Sequence, residues 1–116
     1  MNIAPRSTIL CDIDGTLVVH KETLEQMLVG DMDILPGVLD TIDSWIQNDC
    51  LIFLITARPE SSRSITVHQL AKAGIRYHQL IMGSTNGHRI IINDTKPTDR
   101  FTADSFIVDR NSGFPS

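Results

Sequence analysis

The sequence predicts an α/β protein with a parallel sheet of about five strands and helices on both faces. Short apolar runs alternate with segments of helical periodicity through all 116 residues. One run, Leu51–Ile55, is five apolar residues long, which is typical of a strand covered on both faces. Several runs end in polar side chains. Alternation of strands and helices favours parallel pairing, and ligands then bind beyond the carboxyl ends of the strands.

The strand candidates are short apolar runs placed between the helical segments. Residues 8–11 form the first strand and Leu51–Ile55 the second. Residues 77–82, 89–92 and 105–108 are three further candidates. Together they give the predicted count of about five strands.

Three helices are predicted from apolar spacing and from their end signals. Within residues 18–33, Leu24, Met27 and Leu28 share helical spacing, and Gly30 closes the helix. A second helix begins at residues 35–37 and has an apolar face of Val38, Ile42, Trp45 and Ile46. The third helix runs from Pro59 to about Lys72, with Gly74 as its C-terminal stop.

Length and composition predict one globular domain over residues 1–116. Hydrophobic residues make up 41% and charged residues 21% of the chain, which is ordinary for a soluble protein. The net charge of −4 and the lack of a basic block predict no nucleic-acid partner. The apolar runs are too short to span a membrane, and the first residues lack the apolar core of a signal peptide. Cys11 and Cys50 read as free buried thiols, so a cytoplasmic location is expected.

The most informative polar cluster follows the first strand, where residues 9–17 read Ile-Leu-Cys-Asp-Ile-Asp-Gly-Thr-Leu. Carboxylates are costly where a strand leaves the core, unless they are paired or bind a metal. Asp12 and Asp14 can share a cation there, and one of them can present an oxygen nucleophile. Gly15 allows the sharp turn that follows. The alternative is an ordinary Asp-Gly turn.

Two later strand tips carry further candidates, each with a structural alternative. Thr56 and Ala57 precede a helix and could bind phosphate, although threonine is also a favoured helix cap. Arg58 could clamp an anionic group or form a surface salt bridge. Asn93 and Asp94 could bind a divalent cation or form a simple turn.

The stretch Asp12-Ile-Asp14-Gly-Thr-Leu resembles the first motif of the haloacid dehalogenase (HAD) superfamily of phosphohydrolases. That resemblance implies a Rossmann-like three-layer fold, a phosphoaspartate formed on Asp12, and Asp14 as general acid and base. It also implies Mg²⁺ bound by Asp12 and by the backbone carbonyl of Asp14. Thr56 resembles the phosphate-binding second motif. Asn93 and Asp94 resemble the fourth motif, which completes the metal site.

The sequence departs from this family at the third motif, which usually supplies a lysine. No lysine lies at the expected place before the next strand. Lys96 is the first choice as a substitute, and Arg58 and Arg89 are the reserves; the alternative for Lys96 is an exposed side chain. His20 falls where members of the family carry a mobile flap and could contact substrate.

Two functions follow from these expectations. The first is a magnesium-dependent phosphatase that hydrolyses a small phosphomonoester, such as a sugar phosphate, through Asp12. The intervals between the motifs leave no room for a cap domain, and an open site of this kind favours a homo-oligomer. The second is a metal- and phosphate-binding module that turns over weakly and acts through a partner.

Overall fold

A three-stranded parallel sheet organises the computed structural model, which describes residues 1–115. Strand β1 spans Thr8–Asp12, β2 spans Leu51–Ile55 and β3 spans Gln79–Ile81, in the order β1-β2-β3. Cys11 lies opposite Leu54, which lies opposite Leu80. The α/β class and the parallel pairing are therefore confirmed. Residue 116, the last of the predicted domain, lies outside the described residues.

The helices follow the predicted order along the chain. Helix α1 spans Leu24–Leu28, α2 spans Val38–Gln47 and α3 spans Arg63–Ala73, after a 3-10 turn at Glu60–Ser62. Gly74 ends α3 with a φ angle of 74°, as its sequence position predicts. No helix within residues 1–115 is both long enough and apolar enough to cross a membrane.

The core lies on one face of the sheet, between the strands and helices α2 and α3. The strands contribute alternate side chains and α2 contributes one apolar stripe, whereas α3 buries Leu70 beside the polar Thr66 and Gln69. These buried residues include Cys11, Ile52, Leu54 and Leu80 from the strands, Val38, Ile42 and Trp45 from α2, and Leu70 from α3. The alternate residues of the strands point to the other face, where Leu10, Leu51 and Ile81 are exposed.

The described part of the chain therefore has two layers, and the expectation of helices on both faces is not met there. The unbroken apolar run Leu51–Ile55 predicts a strand covered on both faces. Ile52 and Leu54 are buried, whereas Leu51 is exposed. An unbroken apolar run shows that both faces can be covered, but it does not supply the covering helix.

Two predicted strands are also absent from the described residues. Residues 89–92 and 105–108 form no strand, and Ile92 and Ile107 are 92% and 95% exposed. β-propensity reflects how a side chain fits a pleated, half-buried surface and does not provide a backbone partner. Within residues 1–115 neither segment pairs with the sheet, so the predicted count of about five strands falls to three.

The C-terminal segment returns to the core at the start of α2. Phe114 N–H donates to the Pro36 carbonyl at 2.9 Å, and the Phe114 and Trp45 ring centroids are 5.7 Å apart. Gly113 has a φ angle of 77°, and a Cβ there would lie 2.2 Å from the Pro36 oxygen. Only glycine fits this crossing. Residues 109–114 are thereby fixed to the body of the protein.

The buried thiol of Cys11 gives a first prediction. Burial, reinforced by the charge of Asp12 and opposed by Arg89, raises its pKa from the ordinary 9.0 to about 12. In a Cys50→Ala variant, where Cys11 is the one remaining thiol, an aromatic disulfide reagent at pH 8 should react only after denaturation, because the thiolate is the reactive species.

The raised pKa of Cys11 also sets the pH range over which this thiol changes the stability of the fold. The unfolded thiol ionises near 9.0 and the folded thiol near 12, so the contribution of Cys11 is fully present below pH 9 and is lost as the pH rises towards 12. Denaturant titrations of the Cys50→Ala variant across this window measure the loss. Reaction of native Cys11 at the rate of free cysteine would contradict its burial.

Candidate active site at the carboxyl edge of the sheet

A cavity of about 400 Å³ opens at the carboxyl ends of the strands. Asp12 ends β1 opposite Ile55, the last residue of β2, so the loops that follow the two strands meet at this edge. The loop after β3 completes the wall. The cavity is lined by Asp12, Asp14, His20, Leu24, Met27, Thr56, Ala57, Arg58, Pro59, Thr85, Asn86, Gly87, Arg89 and Arg110.

The Asp12 carboxylate is held by two donors but remains open to the cavity. Its Oδ1 accepts a hydrogen bond from Arg89 Nη1 at 2.8 Å, and its Oδ2 accepts one from the Thr16 hydroxyl at 3.1 Å. The Asp12 side chain is 31% exposed. Each carboxylate oxygen can accept about two hydrogen bonds, so each keeps the capacity to bind a further group. The contacts orient the carboxylate without covering it.

Asp14 forms a bidentate ion pair with Arg58. Arg58 Nε donates to Asp14 Oδ2 at 2.8 Å and Arg58 Nη2 donates to Asp14 Oδ1 at 2.8 Å. The side chains of Arg58 and Asp14 are only 2% and 10% exposed. This geometry, with two parallel N–H···O bonds, gives both strength and orientation.

The remaining N–H groups of Arg58 are also engaged. Its Nη1 donates to Thr66 Oγ1 at 3.1 Å and to Gln69 Oε1 at 2.7 Å, both on α3. Its Nη2 also approaches the Met27 carbonyl at 3.4 Å. Since a guanidinium has five N–H donors, this arrangement uses all of them. Arg58 thus forms a buried ion pair, and it would have to leave Asp14 to clamp a substrate.

Thr56 lies at the end of β2 with its backbone fixed on both sides. Thr56 N–H donates to the Ile81 carbonyl at 2.9 Å, and the Thr56 carbonyl accepts from Ser84 N–H at 3.0 Å. The Thr56 hydroxyl accepts from Arg58 N–H at 3.0 Å and stabilises the turn. A hydroxyl also has one O–H to donate. The capping contact and a bond to phosphate are therefore compatible, and neighbouring Ala57 lines the same wall.

Three predicted site residues, Asn93, Asp94 and Lys96, lie apart from this cavity on an exposed segment. Asn93 Nδ2 donates to the Thr102 carbonyl at 3.2 Å, and the Asp94 carbonyl accepts from the Thr102 hydroxyl. Lys96 N–H bonds the Asp99 carbonyl at 2.7 Å, and the Lys96 side chain is exposed. None of the three lines the cavity. The structure brings Arg89 to Asp12 instead.

Arg110 and Asn111 are not among the predicted site residues, yet the C-terminal segment brings both to the Gly15 turn. Asn111 N–H donates to the Gly15 carbonyl at 2.8 Å, and Asn111 Oδ1 accepts from His20 N–H at 2.7 Å. Gly15 has a φ angle of 91°, which favours glycine. The polar residues 109–111 follow the apolar run 105–108, the same pattern that marked the other strand tips. That signal could have identified Arg110.

The fit of Mg²⁺ can be judged from the donor set. Within residues 1–115, no three or more His, Cys, Asp or Glu side chains gather at metal-binding distance. Mg²⁺ nevertheless needs only one or two protein carboxylates when it keeps several waters and binds a substrate phosphate. The Asp12 carboxylate is partly exposed and keeps acceptor capacity on both oxygens, so it fits such a hydrated ion. Asp94 does not belong to this donor set.

Comparison with known proteins gives two structural matches. Chains in solved structures of the Pnkp1/Rnl/Hen1 complex and of the Pnkp1/Rnl/Hen1 RNA repair complex superpose with TM-scores of 0.59 and 0.58, both at 26% sequence identity. The matches cover 75% and 74% of this chain but only 31% and 28% of the matched chains. No protein-family model matches the sequence, and no curated protein matches it significantly. The chain thus shares its α/β fold with less than a third of each matched chain.

The expectation that nucleic acid is not a partner is contradicted by these matches, because both matched chains are components of an RNA repair complex. The expectation rested on the net charge of −4. Net charge sums over the whole surface, whereas a bound phosphate responds to the charges within about a Debye length. Arg58, Arg89 and Arg110 line one cavity with Asp12 and Asp14, so the formal charge there is positive although that of the whole chain is negative. The overall charge is therefore a poor guide to this site.

The buried Asp14–Arg58 pair gives a second prediction. Arg58→Ala leaves a buried carboxylate without its partner, so the free energy of unfolding should fall by about 3–5 kcal/mol. Lys72→Ala is the control, because Lys72 pairs with Asp31 at 3.0 Å where both side chains are exposed. That variant should change stability by less than about 1 kcal/mol. Urea denaturation measures both, and equal losses would show that Asp14 does not depend on Arg58.

Proposed function

We propose that the protein is a phosphohydrolase of the HAD type, which cleaves a phosphomonoester through a phosphoaspartate on Asp12. The observation that carries the proposal is the placement of Asp12. Its carboxylate ends a strand, is oriented by Arg89 and Thr16, and is partly exposed to a cavity with further cations. An oriented carboxylate beside positive charge is suited to attack phosphorus. The motif of residues 12–17 supports the same role.

The reaction follows from the residues around this carboxylate. An Asp12 oxygen forms a bond to phosphorus while the bond from phosphorus to the leaving oxygen breaks, and water later cleaves the acyl phosphate. Thr56 donates to a phosphate oxygen through its free O–H, and Arg89 offsets the charge that develops. Asp12 and the Asp14 carbonyl would hold Mg²⁺, which supplies further charge neutralisation when bound.

Asp14 is the proposed general acid and base, and its pairing with Arg58 sets a condition on that role. Both Asp14 oxygens accept hydrogen bonds from Arg58. Each oxygen can accept one further hydrogen bond, so proton exchange does not require the ion pair to break. The leaving oxygen must therefore approach one Asp14 oxygen on the side away from Arg58, while the bidentate pair keeps Asp14 in place.

Arg89 is proposed for the part played by the lysine of the third motif. Its Nη1 lies 2.8 Å from Asp12 Oδ1, and its Nη2 donates to Ser84 Oγ at 3.2 Å. Arg89 is 39% exposed at the side chain, so a phosphate can still reach it. A cation in contact with the nucleophile also contacts the phosphate in the transition state.

We further propose a role in RNA processing, with the phosphomonoester carried by RNA. The two structural matches to components of an RNA repair complex support this role. An open site at the sheet edge, with no cap domain between the motifs, suits a large substrate. Arg89 and Arg110, the two exposed arginines of the cavity, suit a polyanion.

A binding module with weak turnover is the second candidate. It is favoured by the full engagement of Asp14 with Arg58 and by the position of Asp94 outside the cavity. Such a module would bind inorganic phosphate without hydrolysing an aryl phosphate. Isothermal titration with phosphate, beside an aryl-phosphate assay with and without Mg²⁺, separates the two candidates.

Asp12→Asn provides the decisive test of the mechanism. The substitution keeps the side-chain volume but removes the attacking charge, so aryl-phosphate hydrolysis should fall by at least about 10³-fold. The native circular dichroism spectrum should be retained. A variant that keeps more than about one tenth of the native rate would rule out a phosphoaspartate on Asp12.

Arg89→Ala and Lys96→Ala form a matched pair that identifies the cation of the site. Arg89→Ala should lower the turnover number by about 10²-fold, the scale for loss of one electrostatic stabiliser. Lys96→Ala should leave the turnover number within about twofold of native, since exposed charges distant from a site contribute little. The reverse ranking would return the role to Lys96.

A further inference from the structure

The side chain of Arg110 is a cation of the cavity that the proposed hydrolysis leaves unused. Arg58 is committed to Asp14, and Arg89 contacts Asp12. Arg110 lines the same cavity, and within the described residues it forms no ion pair. Its side chain is exposed. The cavity thus holds one more cation than a single phosphate needs.

The backbone around Arg110 is fixed at several points, which distinguishes this side chain from an ordinary surface arginine. Asn111 bonds both the Gly15 carbonyl and the His20 amide. Phe114 is anchored to Pro36 and packs against Trp45.

The stem of Arg110 passes beside the turn that follows Asp14. It lies against Gly15, where a Cβ would come within 3.2 Å of Arg110 Cγ. The guanidinium is therefore presented from the far side of the Gly15 turn. Because the backbone that carries it is fixed, binding an anion orders only the Arg110 side chain.

We propose that Arg110 binds a second phosphate of the substrate, next to the phosphate that is hydrolysed. This inference rests on the proposed phosphohydrolase function and names its substrate class, a nucleotide end with at least two phosphates. Arginine suits this role because its planar donors match a phosphate oxygen pair. A polynucleotide end and a free nucleoside bisphosphate share this chemistry, and the experiment distinguishes them.

The test compares substrates that differ by one phosphate. The native chain and Arg110→Ala are each assayed with the same four kinds of substrate. These are nucleoside 3′-monophosphate, nucleoside 5′-monophosphate, nucleoside 3′,5′-bisphosphate and short oligoribonucleotides with a terminal phosphate at either end. The kcat/KM for the bisphosphate should exceed that for the better monophosphate by about tenfold, the effect of one charge-assisted contact. In Arg110→Ala this preference should disappear through a higher KM, with kcat little changed.

Arg100→Ala is the matched control, because Arg100 is also exposed but does not line the cavity. It should keep the full preference. A preference for oligoribonucleotides over the bisphosphate would identify RNA ends as the substrate, and the opposite preference would identify a free bisphosphate. Equal kcat/KM for monophosphate and bisphosphate, or a preference retained in Arg110→Ala, would overturn the assignment of Arg110.

Binding measured without turnover separates failure of this inference from failure of the proposed function. Calorimetry with the mono- and bisphosphates in Mg²⁺-free buffer gives the affinity ratio for native protein and for Arg110→Ala. A ratio of about ten that Arg110→Ala abolishes supports the second phosphate site even if no hydrolysis is detected. Hydrolysis with a ratio near one supports the phosphohydrolase and removes the second phosphate site.

Discussion

The buried ion pair between Asp14 and Arg58 is the constraint around which the site is built. Two charges with little solvent contact are stable together only when their remaining polar atoms are also satisfied. Arg58 meets this condition by bonding Thr66 and Gln69 on α3, and Gln69 in turn donates to the Met27 carbonyl at 2.9 Å. One guanidinium therefore ties the β1 loop, α1 and α3 together. Asp12 lies two residues before Asp14, at the end of β1, where the pairing with Ile55 of β2 places it beside this network.

Because of this network, the arginines of the cavity have different roles. Arg58 is buried and fully bonded, so it fixes geometry and has no donor to spare for a ligand. Arg89 is partly exposed and bonds a single Asp12 oxygen, so it can contact both Asp12 and a bound anion. Arg58, Arg89 and Arg110 have the same formal charge but differ in how far each side chain is removed from solvent. Their roles therefore depend on burial more than on charge.

The sequence predicted the strand tips better than the body of the sheet. The sequence identifies Asp12, Asp14 and Thr56 because each lies at or just after the end of its strand and is followed by turn residues. A pattern formed by neighbouring residues does not depend on distant parts of the chain. The buried pairing of Arg58 could not be predicted, since its partners lie 8, 11 and 44 residues away in the chain. The strand prediction was wrong for residues 89–92 and 105–108. Their composition suits a strand, but strand formation depends on a neighbour that the local sequence does not specify.

The same reasoning explains why a negatively charged chain can be proposed to act on a polyanion. Electrostatic attraction at a site depends on the cations within a few ångströms and on how they are held. Arg89 and Arg110 lie 77 and 98 positions after Asp12 in the chain, and the fold brings both to one cavity. The contacts of Asn111 and Phe114 fix the backbone beside Arg110. Acidic side chains elsewhere on the surface contribute to the net charge without opposing this attraction. Two arginines close to the Asp12 carboxylate are therefore compatible with the proposed cleavage of phosphate from a nucleotide end.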